Sequence, residues 1–301
     1  MGSLFSILFG LLILASCSPK MDTNRISRAE FTRPVIYGED NRQESSTITS
    51  SFWAGLASAS VAIVSRDDLI PAGDRVRFVH ESVGAVAQLC RDEAFYGQPT
   101  ISFCSGALVG ENLVLTAGHC FQESTDCKDS RFLFNYAIPK GDPGLTSLPM
   151  TEVFACKKIL AHRYDQGGLD YTLIELDRPV AGHRPLTLPN QSSKMQPGGA
   201  VTVIGTPSGF PQKIISGGQV RKVTDDSIVA SLDTYAGASG APVFNSADGT
   251  LVGILSQGAV DYTMDPVLNC NHTHHCTEDG CNGERIVRIE TILPEISSYL
   301  K

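Results

Sequence analysis

Phe103 to Cys120 reads FCSGALVGENLVLTAGHC, and this stretch decides the fold. Small and apolar residues at 106–109 are followed by Gly110-Glu111-Asn112 and then by Leu113-Val114-Leu115-Thr116. Two short apolar runs about a turn signal read as a β-hairpin. The second run leads into Ala117-Gly118-His119-Cys120, so an imidazole stands at a strand end between a glycine and a cysteine. The same pattern repeats outward: SVAIVS at 60–65, YTLIELD at 171–177, AVTVIG at 200–205, SIVASLD at 227–233 and TLVGILS at 250–256. The length, β-branched content and spacing of these runs predict an all-β barrel or sandwich. Helical spacing is confined to the end, IETILPEISSYL at 289–300, where Pro294 marks a start or a kink.

The 301 residues suffice for one large core or two adjoining small ones. Lys and Arg number 24 against 32 Asp and Glu, a net charge of -8 that repels a phosphate backbone, so no nucleic-acid partner is expected. The N-terminal MGSLFSILFGLLILASC carries an apolar run, Leu4 to Leu14, too short to span a bilayer and suited to a signal-peptide core. Its end, Leu14-Ala15-Ser16-Cys17, resembles a bacterial lipobox. That resemblance implies cleavage before Cys17, lipidation of Cys17, and export as an outer-membrane or surface lipoprotein; a plain signal peptide or uncleaved anchor is the alternative. Residues 1–17 are thus read as a lipoprotein-type signal peptide. Residues 18–60, polar and Ser/Thr-rich, read as a tether or pro-segment with Trp53 at its end. Eight cysteines remain beyond Cys17, an even number that favours disulfides in an exported chain without fixing their partners. The cluster CNHTHHCTEDGC at 270–281 matches no ordinary zinc-finger spacing, so neither metal nor cofactor is expected.

Three segments carry the chemistry. The TAGHC segment closely resembles the histidine segment of chymotrypsin-like serine proteases. About fifty residues on, GGLDYTLIELDRPV at 167–180 resembles the aspartate segment of that family. Asp170 directly precedes the apolar run and is preferred over Asp165 and Asp177. LDTYAGASGAPVFN at 232–245 resembles the serine segment, with Gly237-Ala238-Ser239-Gly240 at its centre. The resemblance implies that Ser239 attacks a carbonyl, that His119 takes its proton, and that Asp170 orients the imidazole. The backbone N–H groups of Gly237 and Ser239 would form the oxyanion hole. It also implies a disulfide between Cys104 and Cys120. The expected fold is two six-stranded antiparallel barrels packed side by side, residues 61–183 and 184–301, ending in a short helix. The expected activity is an exported, monomeric serine endopeptidase acting on proteins or peptides through an acyl-enzyme. An α/β-hydrolase would place its triad as Ser, acid, His and needs G-x-S-x-G, but Ala241 occupies the last position. The competing class is a protease-fold lipoprotein that binds without cleaving.

Trypsin-type enzymes carry an aspartate just before the serine to bind the new amino terminus. Ala238 stands there, and a methyl group cannot hold an ammonium ion. VIYGEDNR at 35–42, IGTPSGFPQKI at 204–214 and the serine segment resemble the bacterial glutamyl endopeptidase branch. Thr234 matches that branch's pocket threonine, whereas Leu255 stands where the branch carries its glutamate-selecting histidine. Asp233, six residues before Ser239, has the spacing of an acidic pocket base; a turn residue is the equal alternative. Asp233, Thr234, Leu255 and Ser256 form the candidate substrate-binding set. Leu255 offers no cation to a glutamate side chain, so basic residues are expected to lead at the cleaved bond.

Overall fold

The computed structural model describes residues 36–123, 125–141, 144–189, 195–258 and 261–300. The signal-like run and Cys17 lie outside these residues. The β-branched runs become strands because each buries nearly every side chain; 60–65 and 171–174 are withdrawn from water almost throughout. Six strands close a first barrel: β1 (Ser60–Ser65), β2 (Ser102–Gly110), β3 (Leu113–Thr116), β4 (Ser130–Leu133), β5 (Val153–Tyr164) and β6 (Asp170–Leu176). Their order is β4-β5-β6-β3-β2-β1, with β1 returning to β4, and every pairing is antiparallel. A second barrel comprises β7 (Ala200–Gly205), β8 (Lys213–Val223), β9 (Ser227–Ser231), β10 (Pro242–Asn245), β11 (Leu251–Gln257) and β12 (Glu284–Arg288). Here the order is β7-β10-β11-β12-β9-β8, closed by β7 against β8. The fold is therefore two closed six-stranded antiparallel barrels.

One core runs between the barrels. Val61, Leu108, Leu115 and Leu173 of the first join Ile204, Phe244, Ile254 and Val287 of the second in a single buried cluster. The C-terminal helix α2 (Ile289–Ile296) adds Ile289, Ile292 and Ile296, the one-sided spacing of an amphipathic helix. Pro294 lies inside this helix.

Residues 36–58, part of the polar stretch read as a tether, are built onto the second barrel. Ile36–Tyr37 pairs in parallel with His275–Cys276, and Arg42–Glu44 pairs antiparallel with β8. Helix α1 (Ser51–Ser58) follows; the Ser50 side chain accepts the Trp53 N–H at 3.4 Å, and the Trp53 ring meets Phe244 edge-on at 6.1 Å. Composition conceals this, because strand pairing uses backbone groups that polar residues supply as well as apolar ones.

Four disulfides join Cys90 to Cys270, Cys104 to Cys120, Cys127 to Cys156 and Cys276 to Cys281. Those at Cys270, Cys276 and Cys281 engage the sulfurs of the 270–281 cluster. No helix among the described residues is long and apolar enough to cross a membrane.

Candidate active site

The β2–β3 hairpin and β6 lie side by side. Thr116 pairs with Gly106 on one side and with Thr172 on the other, so the residues just beyond β3 meet the start of β6. That register brings His119 to Asp170. Asp170 Oδ1 accepts the His119 backbone N–H at 2.9 Å, and Oδ2 meets His119 Nδ1 at 2.8 Å. Asp170 is 1% exposed, while the imidazole is 26% exposed and packs against the Tyr164 ring at 5.9 Å. Burial pushes the Asp170 carboxyl up, but the hydrogen bond and charge of His119 and the Ser256 hydroxyl outweigh it, holding the group below its ordinary range. An ionised carboxylate only accepts, so Nδ1 carries the proton and Nε2 is left as the base.

Ser256, at the end of β11, donates to Asp170 Oδ2 at 2.5 Å. Its hydroxyl thus serves the carboxylate, a link that the sequence reading, which grouped Ser256 with the substrate-binding residues, did not contain.

The Gly237–Ser239 segment is held from the first barrel by one residue. Ser105 donates its backbone N–H to the Ser239 carbonyl at 2.7 Å and its hydroxyl to the Gly237 carbonyl at 2.9 Å. Thr206 donates to the same Gly237 carbonyl at 3.1 Å and lies 2.8 Å from the Ser105 hydroxyl. Gly237 has φ +95°, a left-handed conformation that favours glycine. Gly240 approaches the histidine segment so closely that a Cβ would stand 2.2 Å from Thr116 Oγ1 and 2.7 Å from the Ala117 nitrogen. The serine segment therefore packs on the residues that lead to His119. Ser105 and Thr206 escaped the sequence reading; the available signal was a hydroxyl amid fully buried strand positions beside Cys104.

The remaining candidates divide. Leu255 is 3% exposed and belongs to the second barrel's core with Ala238, Ala241 and Val243. Thr234 donates its hydroxyl to Glu284 Oε2 at 2.7 Å. Asp233, 2% exposed, accepts the backbone N–H of Tyr37 at 2.8 Å on one oxygen and that of Asn41 at 2.8 Å on the other. Burial drives its carboxyl up to about 6, more than those two donors offset, and neighbouring Asp40 adds to the rise. Asp233 fastens the 36–44 segment to the loop that leads to Ser239.

Two antiparallel barrels with a buried carboxylate on an imidazole between strand ends define a peptidase architecture. A model of the trypsin-like peptidase domain matches residues 104–254, half of the sequence, and the chain belongs to this family. Among curated proteins, the glutamyl endopeptidase of Bacillus licheniformis is 28% identical over 153 residues. That similarity covers 48% of this chain and 46% of the relative, so the chain matches about half the relative's length. Among solved structures, kallikrein-related peptidase 10 is similar at 19% identity with a TM-score of 0.48, over 82% of this chain and 97% of that one.

Proposed function

We propose that this chain is a serine endopeptidase in which Ser239 is the nucleophile, His119 the general base and Asp170 its orienting partner. The observation that carries this reading is the buried Asp170 carboxylate bonded to His119 Nδ1 at 2.8 Å, beside a serine segment pinned by Ser105. Ser239 Oγ gives its proton to His119 Nε2 as it bonds to the scissile carbonyl carbon. The resulting oxyanion is received by the N–H groups of Gly237 and Ser239. As the tetrahedral species collapses, the C–N bond breaks and Nε2 returns the proton to the leaving amine. Water then enters by the same route in reverse and frees the acid. Asp170 keeps Nδ1 protonated throughout and stabilises the imidazolium between the two proton transfers.

The lipobox resemblance supports anchoring of the exported enzyme to a membrane through a lipidated Cys17. Fatty-acid labelling that depends on Cys17 is the measurement for that part.

The catalytic assignment is tested by an organophosphate probe with intact-mass readout. One equivalent should add to the wild-type chain and none to Ser239→Ala. Peptide and ester hydrolysis in Ser239→Ala should fall by about six orders of magnitude, with an unchanged circular-dichroism spectrum. Hydrolysis that survives the substitution defeats the assignment; an unlabelled, inactive wild-type chain speaks for a binding protein instead.

A further inference from the structure

The four bridges are not alike. Of their eight half-cystines Cys281 alone is exposed; Cys90, Cys104 and Cys120 are buried, and Cys127, Cys156, Cys270 and Cys276 are partly so. Cys281 is also alone among them in its positive φ, +49°, a left-handed conformation that a residue with a Cβ holds only where its surroundings impose it. His274 Nε2 lies 3.7 Å from the Cys281 sulfur, and the imidazole nitrogen and the sulfurs of Cys276 and Cys281 all lie within 4.8 Å of one another. His119 and His272 also stand near bridges, but their rings are bonded to Asp170 and Glu93.

This bridge ties down a strand that the barrel itself does not hold. Among the described residues His275–Cys276 pairs only with Ile36–Tyr37. Ile36 donates its N–H to the His274 carbonyl at 2.9 Å, and Gly38 donates its own to the Cys276 carbonyl at 3.0 Å. The Cys276 side chain packs on Tyr37, and a Cβ on Gly38 would stand 2.6 Å from Glu278 Oε1. At the other end, Arg221 of β8 donates to the carbonyls of Glu278, Gly280 and Cys281. Cys281 is thus fastened to the second barrel, Cys276 carries residues 36–38, and the disulfide links the two.

We propose that Cys276–Cys281 is a thiol-exchange site, opened by a dithiol reductant, and that its opening releases residues 36–38 from the second barrel. A thiolate of the dithiol attacks the exposed Cys281 sulfur; the S–S bond breaks and Cys276 departs as a thiolate. A His274 N–H donates to the departing sulfur, and a donor beside a leaving thiolate speeds exchange. The second thiolate of the reductant then displaces Cys281 and closes a disulfide of its own. Two electrons and two protons have passed to the cysteine pair, and the dithiol is oxidised. Once open, Cys281 is free to leave its left-handed conformation, and the strand under Ile36–Tyr37 loses its bond to the barrel. Arg42–Glu44 stays in place, because it pairs with β8 and not with the bridged loop. The pair is a redox latch on residues 36–38, separate from the groups assigned to hydrolysis.

The test treats the full chain, under native conditions, with dithiothreitol, quenches it with iodoacetamide over a time course and maps the alkylated peptides. Cys276 and Cys281 should be alkylated at least about tenfold faster than the other six cysteines. His274→Ala should slow that opening by about tenfold while leaving amide exchange of the oxidised chain at 36–38 unchanged. Amide exchange of the wild-type chain is then read by mass before and after selective reduction. The 36–38 amides should exchange roughly 100-fold faster once the bridge is open, with β8 unchanged. Cys276→Ser/Cys281→Ser should show the fast exchange with or without dithiothreitol. Because the wild-type chain is read in both states, the result does not depend on the double variant folding. Another bridge opening first overturns the proposal, and so does an opened pair with unchanged exchange at 36–38. Opening of His274→Ala at the wild-type rate overturns the role of the imidazole.

Discussion

Asp170 and Asp233 are both almost withdrawn from water, at 1% and 2% exposure, yet they hold their protons oppositely. Asp170 sits below its ordinary range and Asp233 is raised to about 6. Burial pushes both upward, so the donors decide. Asp170 receives an imidazole N–H, a backbone N–H and a hydroxyl, and the charge of His119 lowers it further. Asp233 receives two backbone N–H groups and stands near Asp40. Equal burial therefore produces a carboxylate bonded to an imidazole in one barrel and a clasp on the 36–44 segment in the other.

The largest expected effect falls on the catalytic side of this comparison. Asp170→Asn should lower kcat by about 10⁴-fold, because an amide can donate to Nδ1 and favour the wrong tautomer. Steady-state hydrolysis of an ester substrate measures it, and a loss below tenfold would break the contrast between the two aspartates.

Asp233 should act on stability instead. Its folded value of about 6 exceeds the ordinary 3.8, so its stabilising effect is complete below pH 3.8 and is lost as pH rises through 6. The difference corresponds to about 3 kcal/mol. Urea midpoints of wild type and Asp233→Asn across that window should diverge in slope, the variant lacking this decline. Parallel slopes would show that Asp233 does not bind its proton more tightly when folded.

A smaller effect sharpens the account of Asp170. Ser256→Ala removes one donor, so kcat should fall by about tenfold, in line with a hydrogen bond to a charged group. The Asp170 carboxyl should rise, and because its lowered value stabilises the fold above its unfolded titration, acid unfolding should begin at a higher pH. An acid-unfolding curve that coincides with wild type would remove Ser256 from the support of Asp170.

The two aspartates also differ in how legible they are. Asp170 was chosen from three carboxylates because it directly precedes an apolar run, and β6 does begin there. Asp233 was found by counting back from Ser239, which fixes a position along the chain and not the direction a side chain faces. Thr234 came by the same count, whereas its partner Glu284 lies fifty residues further on and was not singled out.

The sequence by itself determined the elements and the order of the histidine, aspartate and serine segments. Apolar runs of strand length, turn residues between them and the histidine, aspartate and serine segments are local features, because strand propensity and turn chemistry act over a few neighbouring residues. Tertiary structure alone decided what each polar group touches. Barrel closure brings Ser105 to Gly237, Ser256 to Asp170 and Glu284 to Thr234, and it recruits the polar 36–44 segment to Asp233. These contacts span 50 to 196 residues of chain. Their partners are fixed by strand register and by the requirement that buried polar groups find hydrogen bonds, neither of which any short stretch of sequence contains.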